Sequence, residues 1–263
     1  MSRKKIIRIT TISFSLDTLL KGQLSFLNNY YEVVGIASGK KELQKVSKRE
    51  DIRVINIPMS REISLWQDLR SLILLVALFI KERPYIVHAN TPKASLLAMV
   101  AAWVTRVPYR IYTVTGLRFE TAIGNFRKLL IAMEKITCWC ATKVIPEGEG
   151  VKKALIREKI TNRPLRVILN GNINGIDTQH YDRTTLVNLL ASEIREKDKF
   201  TFCFVGRLVR DKGINELVFA FVRLYEQNVG VRLILVGPFE KELDPVLPET
   251  EWQILNHTAI SFV

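Results

Sequence analysis

The sequence predicts an α/β protein built on a doubly wound parallel sheet. Three observations carry this. Short β-rich apolar runs alternate with helical patterns from the first residues onward, and that alternation argues a parallel sheet covered on both faces. Composition is globular, with 48% apolar and 25% charged residues over 263 positions, which fits one or two domains. One aperiodic stretch rich in Asn, Gly and Asp, from Asn170 to about Thr185 (NGNINGIDTQHYDRT), interrupts the alternation, which then resumes.

Taken in order, Ile6–Ile12 (IIRITTI) is apolar and β-rich and reads as a strand. Leu16–Leu27 has helical spacing, Glu32–Ala37 (EVVGIA) is a second strand and Ile52–Ile57 a third. Leu65–Lys81 carries Leu and Val around much of its circumference, so it is expected to be a long, largely buried helix. Pro84 punctuates before the strand Tyr85–Ala89 (YIVHA). Ala94–Arg106 is a small-residue helix that Pro108 ends. Then come the strand Tyr109–Val114, a helix over Phe126–Ala141, the short strand Lys143–Ile145, a helix over Gly150–Lys159 and a last apolar run, Arg166–Leu169. After the aperiodic stretch, Lys199–Val205 (KFTFCFV) opens a new strand and Gly206-Arg207 turns the chain. A helix over Ile214–Gln227, the strand Val231–Val236 before Gly237-Pro238, one more helix and a strand at Thr258–Val263 follow. The expected organisation is a domain over 1–172, a linker over 173–198 and a second domain over 199–263. Thr258–Val263 reads as a buried strand, and three strands are few for a doubly wound domain. The chain is therefore expected to stop inside its second domain, leaving a sheet edge and apolar surface open.

Charge and cysteine content narrow the function classes. Lys and Arg number 39 against 26 Asp and Glu, a net of +13. The excess is uneven: residues 1–200 carry 33 basic and 18 acidic side chains, and residues 201–263 carry 6 and 8. A basic field attracts phosphates, anionic lipid or nucleic acid, or serves solubility alone. Nucleic acid lacks support, because no helix-turn-helix, zinc finger or aromatic RNP-like strand is present. Three Cys exclude a disulfide scaffold and point to a reducing compartment. Cys138 and Cys140 lie two apart on a helix pattern and face different directions, and His88, His180 and His257 are scattered, so no metal site is expected. The longest apolar runs, Leu72–Ile80 and Ala94–Val104, fall short of the roughly 18–20 residues of a membrane span. Arg8, Thr10, Thr11 and Ser13 interrupt the apolar start of the chain, so it is a poor signal peptide. The expectation is a cytoplasmic protein in contact with the inner face of the cell membrane.

Parallel sheets bind ligands at the carboxyl ends of their strands, so residues there are the candidates. The segment Phe204-Val-Gly-Arg-Leu-Val-Arg-Asp-Lys-Gly213 is the strongest. A strand runs into Gly206, which permits a close backbone approach, and Arg207 and Lys212 flank a loop leading into a helix start. Free N–H groups and the helix dipole favour an anion there, and a planar guanidinium with a point-charge ammonium suits a diphosphate. The alternative is a helix start with solvated charges. In the first domain, His88, Lys93, Arg61 and Arg118 sit at or near strand ends or in loops. Each has a plain alternative, a locally satisfied strand-end histidine or a surface cation.

This order of elements, with Gly206-Arg207…Lys212-Gly213, resembles the family-4 glycosyltransferases of the GT-B fold, whose second domain opens with a strand followed by G-R-x-x-x-x-K-G. Leu235-Val-Gly-Pro-Phe239 is similar to the family's next strand and loop. Ile57-Pro-Met-Ser-Arg61, Ile86-Val-His-Ala-Asn-Thr-Pro-Lys-Ala94, Tyr112-Thr-Val-Thr-Gly-Leu117 and Asn170-Gly-Asn-Ile-Asn-Gly-Ile-Asp177 resemble the bacterial members that build surface and capsular polysaccharides. The resemblance implies a retaining transferase that moves a sugar from a nucleotide-diphosphate donor, held by Gly206, Arg207 and Lys212, to a lipid-linked or saccharide acceptor. It implies no cofactor beyond that donor. Acceptor-side candidates are Arg61, His88, Lys93, Thr115, Gly116 and Arg118. Two departures stand out. Many members have His where this chain has Thr115, which cannot act as a general base. The family's E-x7-E motif of the second domain does not follow Gly213, which leaves catalytic residues unassigned. The alternative to an active transferase is a catalytically inactive fragment of one; an epimerase or phosphorylase of the same fold is a further option.

Overall fold

The computed structural model describes residues 3–60, 63–228, 230–240 and 244–263. The chain divides into two compact units that meet in the sequence at Ile176 and Asp177.

The first unit is a six-stranded parallel sheet in the order β3-β2-β1-β4-β5-β6. Its strands are β1 (Lys5–Ile12), β2 (Glu32–Ser38), β3 (Arg53–Asn56), β4 (Ile86–Ala89), β5 (Tyr109–Val114) and β6 (Lys143–Pro146). The central strand β1 is buried on both faces. Ile7 and Ile9 pack into one core with Val34, Val87 and Tyr112, and Ile6 packs on the opposite face with Leu16, Leu20 and Leu43. Alternate residues of one strand thus serve two layers.

The second of these layers is made by α1 (Ser13–Leu19), α2 (Gln23–Asn28) and α3 (Lys40–Glu50). The single helix expected over Leu16–Leu27 is two. Gly22 takes left-handed backbone (φ 75°) between them, which a side chain would disfavour. The N–H groups of Gly22 and Ser25 donate to the buried Glu50 carboxylate at 3.0–3.1 Å, so a side chain from α3 caps α2. Helix α3 had no counterpart in the sequence reading, because its apolar signal is only Leu43 and Val46 in a run of charges.

The first layer is made by α4 (Leu65–Glu82), α5 (Pro92–Val104) and α6 (Gly124–Cys140), with α7 (Glu149–Arg157) beside β6. The expectation that Leu65–Lys81 is largely buried is corrected. Helix α4 buries Ser71, Leu75 and Phe79 and leaves Trp66, Ile73 and Ile80 exposed, since it packs against α5 on one side and leaves the opposite side open to solvent. Arg166–Leu169 forms no regular element. The backbone turns left-handed at Leu169, Gly171 and Asn172, and Asn172 donates to the carbonyl of Glu147 at 2.9 Å, so this stretch caps β6 instead of extending the sheet.

The second unit contains α8 (Thr185–Ile194), β7 (Phe200–Val205), α9 (Ile214–Gln227), β8 (Val231–Val236), α10 (Pro248–Asn256) and β9 (Ile260–Phe262). Its strands form a parallel sheet in the order β7-β8-β9, with Leu233, Leu235, Val218 and Phe221 at its core. The segment 173–198 is thus not without structure. Thr184 caps α8 by accepting from the N–H of Val187 at 3.3 Å. Arg232 ties the end of this helix down, donating to the carbonyl of Ile194 and pairing with Glu196 at 2.6 Å.

Candidate active site

In the first unit the carboxyl ends of β1, β4 and β5 gather a polar network. Arg8 lies at the middle of β1, beside His88 in register, and donates through Nη2 to Asn90 Oδ1 at 3.0 Å. Burial lowers the Arg8 pKa to about 9. Asn90, the first residue after β4, accepts the hydroxyl proton of Thr115 on its carbonyl at 3.0 Å. His88 lies inside β4, half-buried, with Nε2 2.8 Å from Thr113 Oγ1. Burial and then the Arg8 charge hold the His88 pKa well below the ordinary histidine value, so the ring is neutral at pH 7. Thr91 ties the start of α5 to β1 through Thr11 at 2.8–2.9 Å.

Beside this network, a cleft brings together three of the acceptor-side candidates: Lys93, Gly116 and Arg118. Its walls are apolar, with Leu96 from α5 and Leu130 and Met133 from α6. Lys93 stands in the first turn of α5, nearly buried, and pairs with Asp68 of α4 at 2.7 Å. A side-chain carbon on Gly116 would meet nothing within 4 Å, so the loop after β5 leaves open space there. Arg118 is exposed on the short 3-10 turn Arg118–Glu120. Arg61 lies outside the described residues.

The sequence reading missed Glu134 in this cleft. It accepts a hydrogen bond from Tyr112 Oη at 2.7 Å. Burial pushes its pKa up to about 7 despite that bond. An apolar cleft with cations and one carboxyl that stays partly protonated near neutral pH can hold a phosphorylated or hydroxylated ligand with an apolar portion.

In the second unit, β7 runs into Gly206, whose N–H donates to Val236 at 2.9 Å. The strand ends of β7 and β8 touch backbone to backbone. A side-chain carbon on Gly237 would fall 2.1 Å from the Gly206 carbonyl oxygen. Arg207 follows, half-exposed, and pairs with Glu240 at 2.5 Å. A 3-10 turn over Arg210–Lys212 leads through Gly213 to the start of α9. Asp244 straps this turn by accepting from the N–H of Asp211 at 2.7 Å. Lys212 is exposed. The loop therefore presents one cation already held by a carboxylate, Arg207, and two that are exposed, Arg210 and Lys212, in front of a 14-residue helix.

Comparison with known proteins bears on these two sites. The model of the glycosyl transferase 4-like domain matches residues 29–171. The chain belongs to the glycosyl transferase 4-like family. The match runs from just before β2 past β6 and includes the Lys93, Gly116, Arg118 and Glu134 cleft. Among relatives of this family member, the capsular polysaccharide biosynthesis glycosyltransferase CapM of Staphylococcus aureus is 38% identical over 246 residues, 92% of this chain and 63% of CapM. The UDP-Gal:alpha-D-GlcNAc-diphosphoundecaprenol alpha-1,3-galactosyltransferase of Escherichia coli is 31% identical over 180 residues, 67% of this chain and 45% of the enzyme. The chain thus spans less than two thirds of the length of either relative. Of solved structures, Anabaena Alr3699/HepE in complex with UDP and glucose superposes with a TM-score of 0.73 at 16% identity, over 99% of this chain and 69% of that one. The UDP-GlcNAc 2-epimerase of Neisseria meningitidis gives 0.65 at 14% identity, over 98% and 72%. The family member accordingly has the α/β, GT-B-like fold of these neighbours. Among the described residues, no helix is long and apolar enough to cross a membrane.

Proposed function

We propose that the chain is a retaining glycosyltransferase of surface polysaccharide synthesis, moving a sugar from a nucleotide-diphosphate donor to a lipid-linked acceptor. The observation that carries this is the loop from Gly206 to Gly213, where Arg207 and Lys212 stand before the start of α9. As the donor's glycosidic bond breaks, negative charge grows on the departing diphosphate, and the Arg207 and Lys212 cations beside the helix start stabilise it. The sugar's reacting carbon passes to an acceptor hydroxyl, whose proton leaves to solvent or to the departing phosphate. Thr115 takes no part as a base, because a neutral hydroxyl oxygen is not basic, and it donates to the Asn90 carbonyl instead. The names of the two relatives support a capsular role, a UDP-linked donor and a diphosphate-linked polyprenol acceptor. The acceptor's phosphate suits the Lys93 and Arg118 cleft and its prenyl portion suits the Leu96, Leu130 and Met133 walls. Such an acceptor places the protein at the inner face of the cell membrane.

The test is calorimetric titration of UDP into the 263-residue chain, together with transfer of radiolabel from UDP-sugars to a bacterial lipid extract. UDP binding that Arg207→Ala with Lys212→Ala abolishes, and label in the lipid fraction, are the expected results. A folded chain that binds no UDP would overturn the donor site, and release of free sugar without acceptor labelling would point to a different reaction of the same fold.

A further inference from the structure

Among the described residues that line the cleft of the first unit, Lys93 and Arg118 are the cations and Glu134 is the one acid. Glu134 stands on α6 and is 9% exposed. A carboxyl so buried ordinarily has a cation beside it. Glu134 has none in contact among the described residues; its hydrogen bond is the one from Tyr112 Oη to Oε1, at 2.7 Å. Tyr112 is the donor, because burial and then the Glu134 charge push its pKa well up and keep it protonated. The second oxygen, Oε2, makes no hydrogen bond among the described residues. Nor is it shut away: the unpartnered side-chain atoms closed to solvent are Arg8 Nε, Asn90 Nδ2 and Ser95 Oγ. Oε2 therefore opens on the cleft that Glu134 lines.

The groups around this carboxyl decide which of its forms serves a ligand. From α5, Lys93 lines the cleft, but its charge is met by Asp68 of α4 at 2.7 Å. From the turn after β5, Arg118 lines it and is exposed. From β5, Tyr112 is neutral. Cys138, one turn along α6, is held as the thiol by burial and by the Glu134 charge. With Glu134 as the acid, the cleft thus carries the charge of Arg118 and one free O–H. With Glu134 ionised, that charge is cancelled and a fixed anion faces any phosphate. Burial holds the acid form up to about pH 7. An acid O–H that donates to a phosphate oxygen makes a charge-assisted bond, roughly twice as strong as a neutral one. A carboxylate in the same place repels the phosphate.

We propose that Glu134, as the neutral acid, donates through Oε2 to a phosphate oxygen of the ligand in this cleft and is a specificity-determining residue for phosphate-linked acceptors. Tyr112 is a positioning residue: by occupying Oε1 it leaves Oε2 and its proton to the ligand. The role rests on the reading of the cleft as the acceptor's.

The probe is a diphosphate with N-acetylglucosamine on one phosphate and a farnesyl chain on the other. As a diester it has no second phosphate ionisation near neutral pH. It is titrated by calorimetry into the chain carrying Arg207→Ala with Lys212→Ala, so that its phosphates have no donor loop to bind. Two forms are compared at about pH 6 and about pH 8.5, one with Glu134 and one with Glu134→Gln, whose amide still donates and cannot ionise. The form with Glu134 should lose affinity about tenfold or more across this range, and Glu134→Gln less than about twofold. The same farnesyl glycoside without phosphate should show no such difference. Circular dichroism checks folding. If Glu134→Gln does not fold, proton uptake decides: in buffers of different ionisation enthalpy at about pH 8, the form with Glu134 should take up about half a proton or more per probe bound. Parallel pH curves, or binding without proton uptake, overturn the role of Glu134 and leave the cleft as the acceptor's. No binding by either form overturns both. The expected pH signature in a chain whose unsubstituted form binds no UDP keeps Glu134 in its role and removes the donor site instead.

Discussion

Glu134 keeps a proton well above the pH at which a solvated carboxyl loses it, because the α6 side of the cleft offers it little water and a single hydrogen bond from Tyr112. Its raised value has a sign for stability. The neutral folded form is favoured, so its contribution is fully present below about pH 4.5 and is lost as pH rises to about 7. Glu134→Gln removes that titration. In urea melts the parent should lose about 3 kcal/mol relative to the variant over this range, and parallel pH curves would refute the assignment. Arg207 offers a second residue-scale prediction. Glu240 competes with any incoming phosphate for its guanidinium. Glu240→Gln should therefore tighten UDP binding, by up to about fivefold, since so exposed a pair contributes at most about 1 kcal/mol. Calorimetry that finds weaker binding would show Glu240 to be a ligand-side residue. The placement of Arg207 and Lys212 was legible in the sequence because it is local, a strand, a Gly and a helix start within ten residues. Glu134 and Arg8 were not. The partner of Glu134 is Tyr112 and that of Arg8 is Asn90, and only the sheet brings such distant positions together.

Helix α2 shows the same at the scale of elements. A period search joins Leu16 to Leu27, whereas the chain breaks at Gly22 and restarts under the Glu50 carboxylate. Burial alone would raise the Glu50 pKa, but the Gly22 N–H, Arg49 and the Ser25 N–H outweigh it and hold it below the ordinary value. The stability it adds is present above the ordinary carboxylate range and is lost as pH falls through its folded pKa. Glu50→Ala strands two backbone donors. It should cost about 2–3 kcal/mol near neutral pH, measured by denaturant unfolding; a loss under about 0.5 kcal/mol would mean water serves the cap equally well. Most strands were readable within a residue or two, since fully buried parallel strands are continuous apolar runs. The failures share a cause. Helix α3 has too few apolar residues to register. Helix α4 has so many that periodicity alone cannot tell a buried helix from one with an uncovered side. Helix α8 carried a readable capping Thr184 before an apolar run, hidden by the polar stretch that precedes it.

At the scale of the molecule, the two units are joined by an exposed stretch over 177–184. Limited trypsin should cut first after Arg183, giving a fragment that ends there and one that begins at Thr184, identified by mass spectrometry. First cuts among the lysines of α3 would instead make the first unit the less stable of the two. The separate cores, one under the six-stranded sheet and one under β7, β8 and β9, also predict that core substitutions in one unit leave the melting of the other in place. The pair of Arg207 and Glu240 has a consequence for how ionic strength acts on the donor site. A phosphate that docks on a bare cation sheds the mobile ions around both partners, so its affinity falls steeply with added salt. At Arg207 the arriving phosphate exchanges with a carboxylate already in place, and that carboxylate returns to solvent and gathers ions of its own. At Arg207 the traffic of small ions nearly balances, so the salt dependence of UDP affinity should come from the solvent-facing Lys212 and be smaller than two bare cations would give.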